Sequence, residues 1–202
     1  MQAVILDIDG TLIQSIGADS GLYIQAVRSI LGPVKIRSSW DEYPDVTDAG
    51  ILRDICIDNH LNPTPQSIQN VRHLFVDLLS THIRKHGPFS EIPGALSFVQ
   101  SQLTRANRAI AYATGGWSAS AKIKLATAGF PLENIPLVGS DELPNRLAIM
   151  SQALSLLGSD FSSITYFGDG PWDRAAANML GWEFVPVGES IGGILNYRSV
   201  SA

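Results

Sequence analysis

Two pairs of aspartates stand out in a chain of 202 residues. Asp7 and Asp9 lie in Asp7-Ile8-Asp9-Gly10-Thr11, directly after the apolar residues 3–6. Asp169 and Asp173 lie in Gly168-Asp169-Gly170-Pro171-Trp172-Asp173, directly after residues 164–167. Carboxylates two apart at a strand end point the same way while the chain stays extended, so they can aim two oxygens at one ligand. Such a pair suits a hard, oxygen-liganded cation such as Mg2+, or a nucleophile beside an acid/base. Either pair taken singly also reads as loop acids, with Asp9-Gly10-Thr11 an ordinary turn and Asp173 favourable in the first turn of a helix. Four acids aimed at one edge repel each other unless a cation sits among them. Thr114-Gly115-Gly116 adds a hydroxyl and exposed amides before a helix start, a terminus that can hold an anion. Arg146 opens another helical stretch, where the helix dipole prefers acids; a cation there makes sense if a bound anion needs neutralising.

A parallel sheet would bring these residues together. Residues 3–6, 109–113, 164–167 and 184–187 are short apolar blocks that run into Gly, Asp or Thr, as buried strands do when they reach a loop. Helical patterns follow at about 94–104, 119–128, 147–156 and 174–180, the last three stopping before Gly129, Gly158 and Gly181, each able to take a left-handed cap. This alternation predicts an α/β fold, a Rossmann-like parallel sheet with helices on both faces, whose loops converge at the carboxyl edge. Residues 14–88 break the rhythm. They contain no convincing strand and read as helices over 20–31, 47–59 and 67–85, punctuated by Pro33, Pro44, Pro63, Pro65 and Pro88. Ser67 is the expected N-cap of the third, with Leu74, Val76, Leu78 and Leu79 as its buried stripe. The expected organisation is a core of residues 1–13 and 89–202 with an all-helical insertion at 14–88.

Composition excludes several classes. Fourteen Lys plus Arg against nineteen Asp plus Glu give a net charge of -5 without a basic tract, which argues against nucleic acid and anionic membrane as partners. The lone cysteine, Cys56, rules out an intrachain disulfide and a cysteine-rich zinc site, so a reducing, cytoplasmic setting is expected. No apolar run approaches the roughly 18 residues of a membrane span. All four histidines fall inside 14–88; His82 and His86 share a helix face at a spacing used for zinc, but no motif supplies further ligands.

With these motifs in order, the chain resembles the haloacid dehalogenase-like superfamily along its whole length. The resemblance implies that Asp7 is a nucleophile and Asp9 a general acid/base. It implies that Thr114 and Gly115 bind phosphate, and that Asp169 and Asp173 complete a Mg2+ site with Asp7 and the backbone carbonyl of Asp9. The helical insertion resembles the cap of phosphoglycolate phosphatases and beta-phosphoglucomutases. The third motif departs: where relatives carry a lysine, this sequence has Asn145-Arg146-Leu147, so Arg146 is the expected phosphate-neutralising cation. Lys122 and Lys124 lie far along their helix and are weaker substitutes.

The cap should choose the substrate. Trp40, Tyr43, Thr47 and Asp48 form a cluster suited to a small polar ligand, with Trp117 beside the Thr114 loop. The same residues also read as cap core and as the N-terminal cap of a helix. The expected function is a Mg2+-dependent phosphatase, a monomer or weak homodimer, acting on a small phosphorylated metabolite. A phosphomutase and a non-enzymatic binding protein are the alternatives. Dehalogenation is disfavoured by Asp9, and phosphonate hydrolysis by a cap whose only lysines are Lys35 and Lys85.

Overall fold

The computed structural model describes residues 1–143, 145–158 and 160–200. Five parallel strands, β1 (Gln2–Leu6), β2 (Arg108–Ala113), β3 (Leu137–Val138), β4 (Ser163–Gly168) and β5 (Glu183–Pro186), form one sheet in the order β3-β2-β1-β4-β5. β1 is central, with Leu6 in register with Tyr112 on one side and Phe167 on the other. Alternate residues of a strand face opposite ways. Val4 and Leu6 therefore join Phe98, Leu125 and Phe167 in one buried cluster, while Ile5 joins Ile149, Met150 and Ala177 in the other. A strand buried on both faces needs helices on both faces. They are α4 (Ala95–Leu103) and α5 (Ser118–Thr127) on the first, α6 (Arg146–Leu157) and α7 (Pro171–Leu180) on the second. The strand order reverses about β1, and in such sheets the crevice beyond the carboxyl ends is where ligands bind.

Between β1 and β2 the chain inserts a helical cap of α1 (Ile16–Leu31), α2 (Asp48–Asp58) and α3 (Pro65–His86). Its core packs Tyr23, Val27, Ile51, Ile55, Val71 and Phe75 together. Burying a side chain such as Phe75 stabilises by about 1.5–3 kcal/mol, so this cap holds a core of its own. Trp117 of the sheet-bearing part is also buried in it, within 5.7 Å of the Tyr23 ring centroid and 5.9 Å of that of Phe75.

Several local expectations are corrected. α3 starts at Pro65, and Thr64, not Ser67, is its cap: the Thr64 side chain accepts from the Ser67 N–H at 3.1 Å. Proline at the first helical position lacks the N–H that would go unsatisfied there, so the helix begins two residues earlier. Its buried row is Val71, Phe75, Leu79 and Ile83, a strict i+4 spacing; of the expected stripe Leu79 belongs to it, Leu74 and Leu78 pack half-buried against the cap core, and Val76 does not join it. Of the three glycines, Gly181 takes the left-handed cap (φ 71°, ψ 25°), Gly129 follows the cap residue Ala128 at φ 84°, and Gly158 lies outside the left-handed region at φ 107°, ψ −152°. β3 has two residues, too short for any hydrophobic period to betray, and joins the sheet by pairing with Tyr112 and Ala113.

Candidate active site

Asp7 extends β1 by one residue, its N–H donating to the Phe167 carbonyl at 3.0 Å, and Asp169 follows β4 on the neighbouring strand. Asp173 sits in the first turn of α7, where a carboxylate meets the helix dipole. It is fully buried, accepting from the Tyr166 hydroxyl at 3.1 Å and the Gly170 N–H at 3.1 Å. Asp7, Asp169 and Asp173 each bring an oxygen within 4.8 Å of the others'. Gly10 makes that approach possible. At φ 75° it turns the chain in a region closed to most side chains, and a Cβ there would lie 2.1 Å from Asp169 Oδ2.

One cation reaches this group. Arg146, first residue of α6, donates to Asp7 Oδ1 at 3.1 Å and holds its Nε 3.2 Å from Asp173 Oδ1. Its other arm donates to the Val46 carbonyl of the cap at 3.3 Å. Asn145 caps the helix by accepting from the Ala148 N–H at 2.8 Å, which fixes the Arg146 backbone. A single guanidinium is not enough for three acids. Burial pushes the Asp7 carboxyl up to about 7 against the pull of Arg146, helped by the charges of Asp173 and Asp9. Burial, then Asp7 and Asp173, push Asp169 up to about 8. Carboxylates this close and this short of positive charge could coordinate a hard divalent cation.

A second acidic cluster faces them from the other side of Asp9. Lys124 of α5 is completely buried and donates to both Asp9 oxygens, at 2.6 and 2.7 Å, and to Asp19 of α1 at 2.7 Å. Ser15 also donates to Asp9. Burial pulls the Lys124 ammonium down, but Asp19 and Asp9 outweigh it and hold its pKa above the ordinary lysine value. Asp48 completes the group: its Oδ2 accepts from the Trp117 N–H at 2.9 Å while its own N–H donates to the Gly115 carbonyl at 2.8 Å. The cap is thereby pinned onto the Thr114 loop.

A cavity of about 140 Å³ opens between the two clusters. Asp7, Asp9, Thr114, Gly115, Arg146, Asp169, Trp40, Thr47 and Asp48 line it; Asp173 lies behind, bonded to Arg146 and Tyr166. Thr114 Oγ1 accepts from the Gly116 N–H at 3.1 Å, which bends the loop. A Cβ on Gly115 would come within 2.8 Å of both Arg146 Nη2 and the Val46 carbonyl, so only glycine fits there. Trp172 also lines the cavity, and among the described residues its buried indole N–H has no hydrogen-bond partner. Two of the expected pocket residues lie elsewhere. Tyr43 is cap core, its hydroxyl accepting from the Arg37 N–H at 3.0 Å, and the Trp117 ring is buried in the cap while only its N–H serves the site. Thr47 does both jobs, capping α2 toward Gly50 and lining the cavity. His82 stacks on Phe89 and its ring centroid lies 4.6 Å from that of His86, and among the described residues no further ligand joins them.

Among solved structures, a hydrolase from Pseudomonas syringae superposes with a TM-score of 0.72 at 18% identity, over 92% of this chain and 84% of its own. CbbY from Rhodobacter sphaeroides, solved in complex with phosphate, gives 0.65 at 17% identity, over 99% and 89%. A haloacid dehalogenase-like family hydrolase from Streptococcus pneumoniae gives 0.54 at 15% identity, over 91% and 83%. The fold is that of the haloacid dehalogenase-like hydrolases. No protein-family model matches the sequence, nor does any curated protein.

Within this haloacid dehalogenase-like fold, sequence reasoning passed over Asp19, Tyr166 and Ser15, and weighed Lys124 only as a phosphate ligand. For Lys124 a signal existed. Ser120, Ala121, Lys124 and Leu125 are the buried positions of α5, and their i, i+1, i+4, i+5 spacing puts the lysine on the apolar face. A lysine in that row must find acids.

Proposed function

We propose that the chain is a Mg2+-dependent phosphatase that hydrolyses a small phosphorylated metabolite through an aspartyl-phosphate on Asp7. The observation that carries this reading is the convergence of Asp7, Asp169 and Asp173 within 4.8 Å, the first two lining a cavity and Asp173 behind them, with Arg146 on Asp7. The donor set fits Mg2+, which Asp7, Asp169, Asp173 and the Asp9 backbone carbonyl would hold. Bound there, it would neutralise carboxylate charge and withdraw charge from the phosphoryl oxygens. Arg146, the Thr114 hydroxyl and the Gly115 amide bind those oxygens, whose charge must be stabilised as the bond to the leaving alcohol breaks. The Asp7 carboxylate attacks phosphorus. Asp9 in its protonated form gives a proton to the departing alkoxide; the carboxylate so formed, held by Lys124 and Ser15, then takes one from the water that cleaves the aspartyl-phosphate. The cap contacts at Val46 and Asp48 limit how much bulk water reaches these groups.

Hydrolysis of an aryl phosphate tests the reading. Turnover should require Mg2+ and vanish in Asp7→Asn, with circular dichroism unchanged. Undiminished turnover in Asp7→Asn, or after thorough chelation, would refute the mechanism.

A further inference from the structure

The charges lining the cavity are unevenly spread. Among the described residues, Arg146 is the one basic side chain on its wall, and it stands at the phosphoryl end, engaged with Asp7 and Asp173. The opposite wall, supplied by the cap, presents Asp19 and Asp48 beside the rings of Tyr23 and Trp40, which meet edge to face at 6.1 Å. Lys124 does not reach the cavity, because Asp9 and Asp19 occupy its ammonium. None of the five cap arginines lines the cavity: Arg37 pairs with Asp58, Arg53 with Asp45 and Asp54, Arg72 with Asp141, Arg84 donates to Thr81, and Arg28 is exposed.

Asp48 and Asp9 converge over the loop, each placing Oδ2 within 3.7 Å of the point where a Cβ on Gly116 would stand. Three acids there share a single lysine. Burial, against the pull of Lys124, raises Asp19 to about 6, and burial and then the charge of Asp19 raise Asp48 to about 8. A leaving group with its own carboxylate or second phosphate would meet this wall with no cation to receive it. One with an ammonium group would meet carboxylates and aromatic faces, both of which attract cations.

Building on the phosphatase reading, we propose that the substrate is the monophosphate of a small amino alcohol, and that Asp48 with Asp19 makes this choice and rejects alcohols that carry a second anion. Three esters of matched size test it: 2-aminoethyl phosphate, 2-hydroxyethyl phosphate and phosphoglycolate, with an aryl phosphate as reference. The expected order of kcat/KM is ammonium, then neutral, then carboxylate, the two ends on the order of 100-fold apart. In Asp48→Asn, which keeps an oxygen for the Trp117 N–H, the spread should narrow by about tenfold. It is read as a ratio within the variant, so loss of folded protein cannot mimic it. Any other order in the native chain overturns the proposal while aryl turnover leaves the phosphatase reading standing. Failure on all four esters overturns the phosphatase reading and takes this one with it.

Discussion

Asp7, Asp169 and Asp173 gather round Arg146, whereas Asp9, Asp19 and Asp48 gather round Lys124, and the two groups differ in what carries them. The first is mounted wholly on the sheet-bearing part, on strand ends and the first turns of α6 and α7. Rigid elements can hold oxygens at ligand spacing without help from the cap. The second straddles two parts of the chain: Asp9 and Lys124 belong to the core, Asp19 and Asp48 to the cap. Its geometry exists only while the cap is seated. Equal charge arithmetic therefore stands in two settings, a fixed floor on the sheet-bearing part, where we propose a metal and a phosphoryl group bind, and a wall whose assembly depends on cap docking.

Removing Lys124 should have the largest effect on folding. Lys124→Met leaves the half-buried Asp9 and Asp19 with no ammonium between them, and breaking an ion pair whose cation is fully buried costs up to about 3–5 kcal/mol. Urea unfolding measures it, and Asp19→Asn in the same background should recover part of the loss. A cost near that of an exposed pair, about 1 kcal/mol or less, would erase the contrast with a built-in cap latch.

Arg146→Ala probes the other group. It should lower kcat/KM by the equivalent of about 2–4 kcal/mol, as expected for loss of one preorganised donor. Arg146→Lys should retain part of the activity, since it keeps the charge and loses the two-armed reach to Asp7 and Asp173. A drop below about threefold in the alanine variant would remove Arg146 from the phosphoryl end.

A third test separates floor from wall by pH. The Asp169 carboxyl is raised from 3.8 to about 8, so the folded chain binds this proton more tightly than the unfolded chain does. Stability from this group is full below its unfolded value and is lost as pH rises through its folded value. Without divalent ions, Asp169→Asn should match the native chain near pH 3.8 and become progressively more stable up to about pH 8. Added Mg2+ should close the gap by stabilising the native chain. Melting temperatures across that window decide it, and a gap that does not grow with pH would show that the floor carries no uncompensated charge.

The strands and helices of the core were legible because burial on both faces leaves unbroken apolar runs, and glycine marks their ends. The boundaries of α3 were less so: two prolines near Thr64 allow more than one start, and only the Thr64 to Ser67 hydrogen bond chooses. Asp7, Asp9, Asp169 and Asp173 were legible as chemistry because acids directly after apolar strands have few structural reasons to be there. Trp40, Tyr43 and Trp117 could not be sorted, since an aromatic lining a cavity and one filling a core obey the same pattern. In the fold, Trp40 lines the cavity and Tyr43 fills the cap core.

What the sequence determined alone is local: which stretches are strands and helices, where the chain turns, and which acids stand at strand ends. Those follow from periodicity and backbone preference within a few residues. Only the tertiary structure decided the partners. Arg146 and Asp7 are 139 residues apart, Lys124 and Asp9 are 115, and both pairs meet because parallel strands and their helices bring distant chain segments to one edge. The charge of a buried side chain is balanced by whatever lies within a few ångströms in space. That neighbourhood is a property of the fold, so the division of one acidic edge into a group around Arg146 and a group around Lys124 became visible only there.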